Sequence, residues 1–228
     1  LNCAIFFDST SFYIKEKLLE EGIPFVLKDK QVYLPFIGYL LSNENERKIS
    51  PVHLISFLTQ KVILVAIYEK WENVTASKAA IRLGVTKMSA NRCFDEIEYL
   101  NVDILGMKGK SRVITVPADI QKLWNDVRVI LRNPVIARYE LKEDIQLGKK
   151  AGITALCEYS LLSDNEYPTY AITKKEITES GIRKMKQVHS GEEIGCVVLE
   201  LGYFIDFKNK KLEDPLSVTL SLTERKKQ

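Results

Sequence analysis

Two threonines, Thr75 and Thr86, stand on either side of Leu83-Gly84-Val85, and the stretch they define constrains the chain more than any other. TASKAAIRLGVTKMSANRCFDEIEYL (75–100) reads as a helix, a tight turn and a second helix. Ala80 is small enough for two helices to approach, Gly84 accepts the backbone angles of the turn, and Thr75 and Thr86 can each cap a helix. Ala90, Phe94 and Ile97 recur at helical spacing and turn one side of the second helix inward, leaving Met88, Asn91, Arg92, Asp95 and Glu96 on the other. NVDILGMKGKSRVITV (101–116) follows as a hairpin, with strands at Ile104–Met107 and Val113–Val116 around Lys108-Gly109-Lys110-Ser111, Gly109 supplying the turn. Helix, turn, helix and basic hairpin in this order are the parts of a winged helix-turn-helix.

Charge gives the module a direction. Residues 75–92 hold Lys78, Arg82, Lys87 and Arg92, and residues 107–112 hold Lys108, Lys110 and Arg112, with no acid in either window. These positions carry +7 while the whole chain carries +3, so the remainder is net acidic. A concentrated cationic surface on one small module is the footprint of a phosphate-backbone binder. Polar and basic groups occupy the first half of the second helix, and Asp95, Glu96 and Glu98 the second half. Only the first half can therefore lie in a major groove without repulsion.

Arginine bridges guanine O6 and N7, and asparagine does the same to adenine N6 and N7, which makes Lys87, Ser89, Asn91 and Arg92 the candidate base contacts. Lys78, Thr86, Lys108, Lys110 and Arg112 are the candidate backbone contacts, which position a protein on DNA without reading sequence.

At 228 residues the chain has room for two or three small domains, and 46% apolar with 28% charged residues is the balance of a globular protein. The fold class expected is α+β, a central winged helix-turn-helix flanked by small α/β domains. The boundaries are 1–48 for the N-terminal segment, 49–117 for the DNA-binding domain, 118–134 for a connecting helix and 135–228 for the C-terminal domain. In the N-terminal segment, residues 4–7 predict a short buried strand, Ser9 or Ser11 opens a helix stopped by Gly22-Ile23-Pro24, and Phe25–Leu27 and Val32–Leu34 form a hairpin ended by Pro35 and Gly38.

A charged linker, Asn43–Lys48, precedes a helix started by Ser50-Pro51, apolar on most sides and ending near Trp71, which suits the centre of a three-helix core. After Pro117 the pattern predicts a helix near 118–131 broken by Asn133-Pro134, a strand at 135–139, a helix near 153–162 and strands at 169–173 and 196–207. An alternating edge strand at 216–222 and a solvated tail, 224–228, complete the chain.

Other chemistries find less support. The four cysteines (Cys3, Cys93, Cys157, Cys196) are far apart and without nearby histidine, against a disulfide framework or zinc site and in keeping with a reducing cytosol. The apolar run Val62–Ile67 is too short to span a bilayer, and the N-terminus lacks the basic region and cleavage site of a secretory signal. It opens at Leu1 without a methionine, which suggests that a few residues precede it. Glu140-Leu-Lys142 and Asp206-Phe-Lys208 each resemble the acid-x-lysine tail of a metal-dependent nuclease, but no paired upstream acid supports either. His53 and His189 are isolated, and no nucleophile elbow, Walker loop or dinucleotide fingerprint is present. Tyr159, Tyr167, Tyr170 and Tyr203 could line a ligand pocket, although partial core burial accounts for them more simply. The expectation is a cytoplasmic protein that is not an enzyme, with no cofactor, no metal and no membrane partner.

FDSTSFYIKEKLLEEGIPFVLKDKQVYLPFIGYLL (7–41), LGVTKMSANRCFDEIEYL (83–100), AGITALCEYSLLSDNEYPTYAIT (151–173) and LEDPLSVTLSLTER (212–225) resemble bacterial MarR-type winged-helix regulators. The Ala-Gly…Tyr-Pro-Thr-Tyr-Ala-Ile stretch is also similar to the C-terminal domain of abortive-infection type antitoxins. An ordinary MarR protein is shorter, and such antitoxins begin with the winged helix, which here follows residues 1–48. The resemblance implies a sequence-specific regulator of double-stranded DNA, a repressor working as a homodimer, whose C-terminal part dimerises, senses a small-molecule effector or holds a partner protein. Its alternative is an antitoxin that represses its own operon and neutralises a toxin through the C-terminal domain.

Overall fold

A computed structural model describes residues 3–28, 31–37, 39–42, 54–185, 187–189, 192–207 and 211–222. The Asn43–Lys48 linker, the Ser50-Pro51 helix start, Gly38, His53, Lys208 and the 224–228 tail lie outside the described residues. The fold is α+β, with eight α-helices and three small sheets among the described residues. Two compact units divide it, residues 1–55 with 71–118 and residues 56–70 with 119–228.

The first unit opens with β1 (Ile5–Phe7), then α1 (Phe12–Glu20), which Ser11 caps by accepting the Ile14 N–H at 3.2 Å. β2 (Phe25–Leu27) runs parallel to β1, with Phe6 opposite Val26. β3 (Gln31–Leu34) and β4 (Tyr39–Ser42) continue antiparallel, completing a sheet of order β1-β2-β3-β4. The strand expected at 4–7 forms, but it is not buried: Ile5 and Phe6 are 46% and 62% exposed because β1 is the sheet edge and pairs on one side only. Phe25 and Leu27 of the next strand carry the burial instead.

The chain leaves this unit for α2 (Phe57–Glu69), which begins where Ser56 accepts the Thr59 N–H. It returns as β5 (Val74–Thr75), α3 (Ala76–Leu83), α4 (Lys87–Tyr99), β6 (Leu105–Lys108) and β7 (Ser111–Ile114). β5, β7 and β6 make a three-stranded antiparallel sheet in that order.

The second unit holds α2 together with α5 (Ile120–Val127), β8 (Val135–Leu141), β9 (Lys149–Lys150), α6 (Gly152–Tyr159), β10 (Thr169–Ile172), α7 (Lys174–Ser180), β11 (Cys196–Leu201) and α8 (Pro215–Leu222). Its sheet has the order β8-β11-β10-β9, parallel between β10 and β11 and antiparallel at both flanks. Every residue of β11 is buried, as a central strand covered on both faces requires. Tyr170, Ile172, Cys196 and Val198 join Leu141, Ile177 and Ile182 in one cluster, and Ala171, Val197, Leu199 and Leu201 join Ala151 in a second.

α2 is apolar around its circumference, with eight residues buried from Thr59 to Ile67, and its one central amide is fully used. Gln60 exchanges two hydrogen bonds with the Arg132 backbone, both at 2.9 Å, and its Nε2 also donates to the Tyr203 hydroxyl at 2.9 Å. Phe57 packs so closely on Gly202 that any side chain at Gly202 would collide with its ring. That contact accompanies the end of β11 at Leu201, earlier than the 196–207 strand expected.

Residues 216–222 form a helix, not the edge strand their alternation predicts. Asp214 Oδ1 accepts the Ser217 N–H at 3.0 Å, Pro215 occupies the first helical position, and Thr219 and Ser221 turn their hydroxyls back onto the carbonyls of Pro215 and Val218. A cap followed by proline outweighs a period-two pattern over so few residues.

Glu213, beside this cap, is 2% exposed; its Oε2 accepts the Gly152 N–H at 3.0 Å, at the start of α6, and its Oε1 has no hydrogen-bond partner among the described residues. Burial, with Asp214 next to it, pushes the Glu213 carboxyl up to about 7. The folded chain thus keeps a proton that the unfolded chain has already released, and stability falls as pH rises from the ordinary glutamate range through about 7. Urea midpoints measured across that window should decline more steeply for the wild type than for Glu213→Gln. Equal slopes would remove Glu213 from the pH response.

Candidate nucleic-acid interface

α3 and α4 are held at both ends by short-range chemistry. Thr75 Oγ1 accepts the Lys78 N–H at 3.4 Å, and Thr86 Oγ1 accepts the Ser89 N–H at 3.1 Å. Between the helices Gly84 sits at φ 65° and ψ 36°, a left-handed conformation that any side chain would oppose. Ala76, Ala79 and Ala80 of α3 and Ala90, Cys93, Phe94 and Ile97 of α4 are buried, and the two helices pack on each other. α4 also packs on β6, and Val113 and Ile114 of β7 are buried. The strands close through a two-residue turn, Gly109-Lys110, between the paired Lys108 and Ser111.

Lys78 on α3, Lys87 and Arg92 on α4, Lys108 at the end of β6 and Lys110 in the turn are all exposed. Among the described residues none of the five has a side-chain hydrogen bond or ion pair. Asn91 is half-buried, and its amide is likewise without a partner among the described residues. Thr86 and Ser89 play a different part. Their hydroxyls lie 2.9 Å apart and build the cap that starts α4.

Arg112 departs from its expected role as a phosphate contact. Its side chain is 16% exposed, and its Nη1 lies 2.9 Å from Asp95 Oδ1 and 3.0 Å from Glu98 Oε2. The guanidinium also sits 5.7 Å from the centre of the buried Phe94 ring. Two carboxylates and an aromatic ring hold it against α4, so it fastens the hairpin to the helix and offers little to a duplex. The same pairing corrects the placement of Asp95 on an open face. Asp95 and Glu98, three residues apart, share one side of the helix, and that spacing beside an arginine-bearing strand was the available signal.

Pairing across the hairpin sets Met107 opposite Arg112 and Lys108 opposite Ser111. Alternation therefore turns Lys108 and Ser111 to the other face of the ribbon from Arg112. Large apolar side chains are also exposed here: Ile81 at 84%, Met107 at 66% and, on the outward side of α4 that the spacing predicts, Met88 at 67%.

The other candidate groups do not converge. The Tyr159 hydroxyl donates to the Glu213 carbonyl at 3.0 Å, the Tyr203 hydroxyl is taken by Gln60 and Ser217, and Tyr170 is buried. Only Tyr167 of the four tyrosines lines a cleft of about 240 Å³, with Asn133, Arg138 and Thr169. Glu140 pairs with Arg138, Lys142 with Glu192 at 2.6 Å and Asp206 with Lys149 at 2.9 Å. Among the described residues no three His, Cys, Asp or Glu side chains gather as a metal site would require. Nor is any helix there long and apolar enough to cross a membrane.

Arg112→Ala should lower stability by about 1–2 kcal/mol, since it takes the guanidinium away from two partly buried carboxylates. Arg112→Lys should recover part of this, because an ammonium lacks the planar fork. Denaturant midpoints measure both, and an unchanged midpoint in the alanine variant would return Arg112 to the exposed cations.

No family model, no curated protein and no solved structure matches this chain.

Proposed function

We propose that the chain is a sequence-specific regulator of double-stranded DNA, built on a winged helix-turn-helix, and that it represses by occupying its site. The observation that carries this reading is the set of five exposed cations, Lys78, Lys87, Arg92, Lys108 and Lys110, on α3, α4 and the β6–β7 hairpin, with no acid paired to them among the described residues. Here Arg112 occupies Asp95 and Glu98, the acids that would otherwise repel a phosphate backbone.

In this reading α4 enters the major groove by its N-terminal half. Arg92 and Asn91 face base edges, Lys87 lies at the groove margin, and Lys78, Lys108 and Lys110 take phosphates on either side. Thr86 and Ser89 keep the end of α4 rigid, and a rigid helix end is what base readout needs. A homodimer placing two copies on two half-sites supplies the affinity that one small module lacks.

Binding of the full-length protein to a selected site and to random duplex separates these roles. Arg92→Ala should cost about 1–3 kcal/mol on the selected site and little on random DNA. Lys110→Ala should weaken both alike and reduce the salt dependence of binding by about one phosphate contact. Indifference to sequence by both the wild type and Arg92→Ala would overturn the reading.

A further inference from the structure

Met88 is an exposed apolar side chain of this surface, beside Ile81 and Met107, that the roles above leave unused. It is 67% exposed, between Lys87, which is exposed, and Ser89, whose N–H the Thr86 cap receives, while Ala90, Phe94 and Ile97 fill the core side of α4. On a helix, Met88, Asn91 and Arg92 stand at i, i+3 and i+4 and form one contiguous stripe. One exposed methionine is ordinary on a protein surface; this one is set apart by sharing a stripe with two hydrogen-bonding side chains, where an apolar group laid on it would remove both from water.

The major-groove edge of a base pair offers one apolar group, the C5-methyl of a pyrimidine. Methionine suits it, being unbranched, polarisable and able to adjust its reach. Met107 is as exposed, but it lies on β6 opposite Arg112, off the stripe that bears Asn91 and Arg92.

Resting on the DNA-binding reading, we infer that Met88 is a specificity-determining residue that reads a pyrimidine C5-methyl group next to the bases faced by Asn91 and Arg92. The methyl can belong to thymine or to 5-methylcytosine, and both present it at the same place in the groove.

The test uses the full-length protein and a duplex recovered by selection from random sequence. Each thymine is replaced in turn by uracil, and each cytosine by 5-methylcytosine. At one position in a half-site, loss of the methyl should weaken wild-type binding about fourfold, the worth of one buried methyl group. A thymine-to-uracil effect assigns the methyl to thymine, and a gain on cytosine methylation assigns it to 5-methylcytosine. Met88→Ala and Met88→Gln should lose that discrimination and keep the preference due to Arg92, whereas Met88→Leu should retain it. An unchanged thermal midpoint in each variant excludes a folding defect, as expected for a side chain this exposed. If the wild type prefers its site but ignores every methyl, or if Met88→Ala still senses one, the inference fails and the DNA-binding reading stands. If the wild type shows no sequence preference at all, both fail.

Discussion

The clasp of Arg112 on Asp95 and Glu98 is the interaction on which the charged surface of the first unit depends. It joins β7 to the C-terminal half of α4 and settles two problems together. The hairpin gains a fixed attachment to the helix, and two carboxylates that would disfavour a polyanion are matched. Phe94 beneath the guanidinium contributes the same fixity from the core side. Lys78, Lys87, Arg92, Lys108 and Lys110 are without a side-chain partner among the described residues, while Asp95 and Glu98 are matched.

Helix caps were the most legible part of the fold. Thr75, Thr86 and Ser11 each accept an amide N–H at the start of a helix, as their positions ahead of apolar periodicity indicate. Such interactions span three residues and are written wholly in local sequence. Residues 216–222 show the same local chemistry overriding a period-two pattern. Their alternation suggested a strand, yet Asp214-Pro215 just ahead is itself a helix start. The exposure of β1 was not legible, since four apolar residues look alike on an edge and in the middle of a sheet.

The candidate site was legible to a similar depth. Lys78, Lys87, Arg92, Lys108 and Lys110 could be picked out because a charge window without acids needs no tertiary knowledge. Arg112 belonged to the same window, and its true partners sit on a different element, beyond the reach of counting. Met88 was visible as a residue on the outer side of α4, but the extent of its exposure is a property of the folded chain. Long-range partners decide a side chain's duty, and composition is blind to them.

The placement of α2 has a consequence for how the chain is made. Its residues precede the second stretch of the first unit, 71–118, yet Gln60 and Tyr68 bond to Arg132, Tyr203, Asp214 and Leu216, between 72 and 148 residues downstream. During vectorial synthesis this apolar helix leaves the ribosome long before those partners exist. The nascent polypeptide must shelter it while residues 71–118 emerge and fold around the interruption. Neither unit is therefore a continuous piece of chain that could be cut out and expressed alone, and shuffling one of them into another protein would have to carry the intervening helix along.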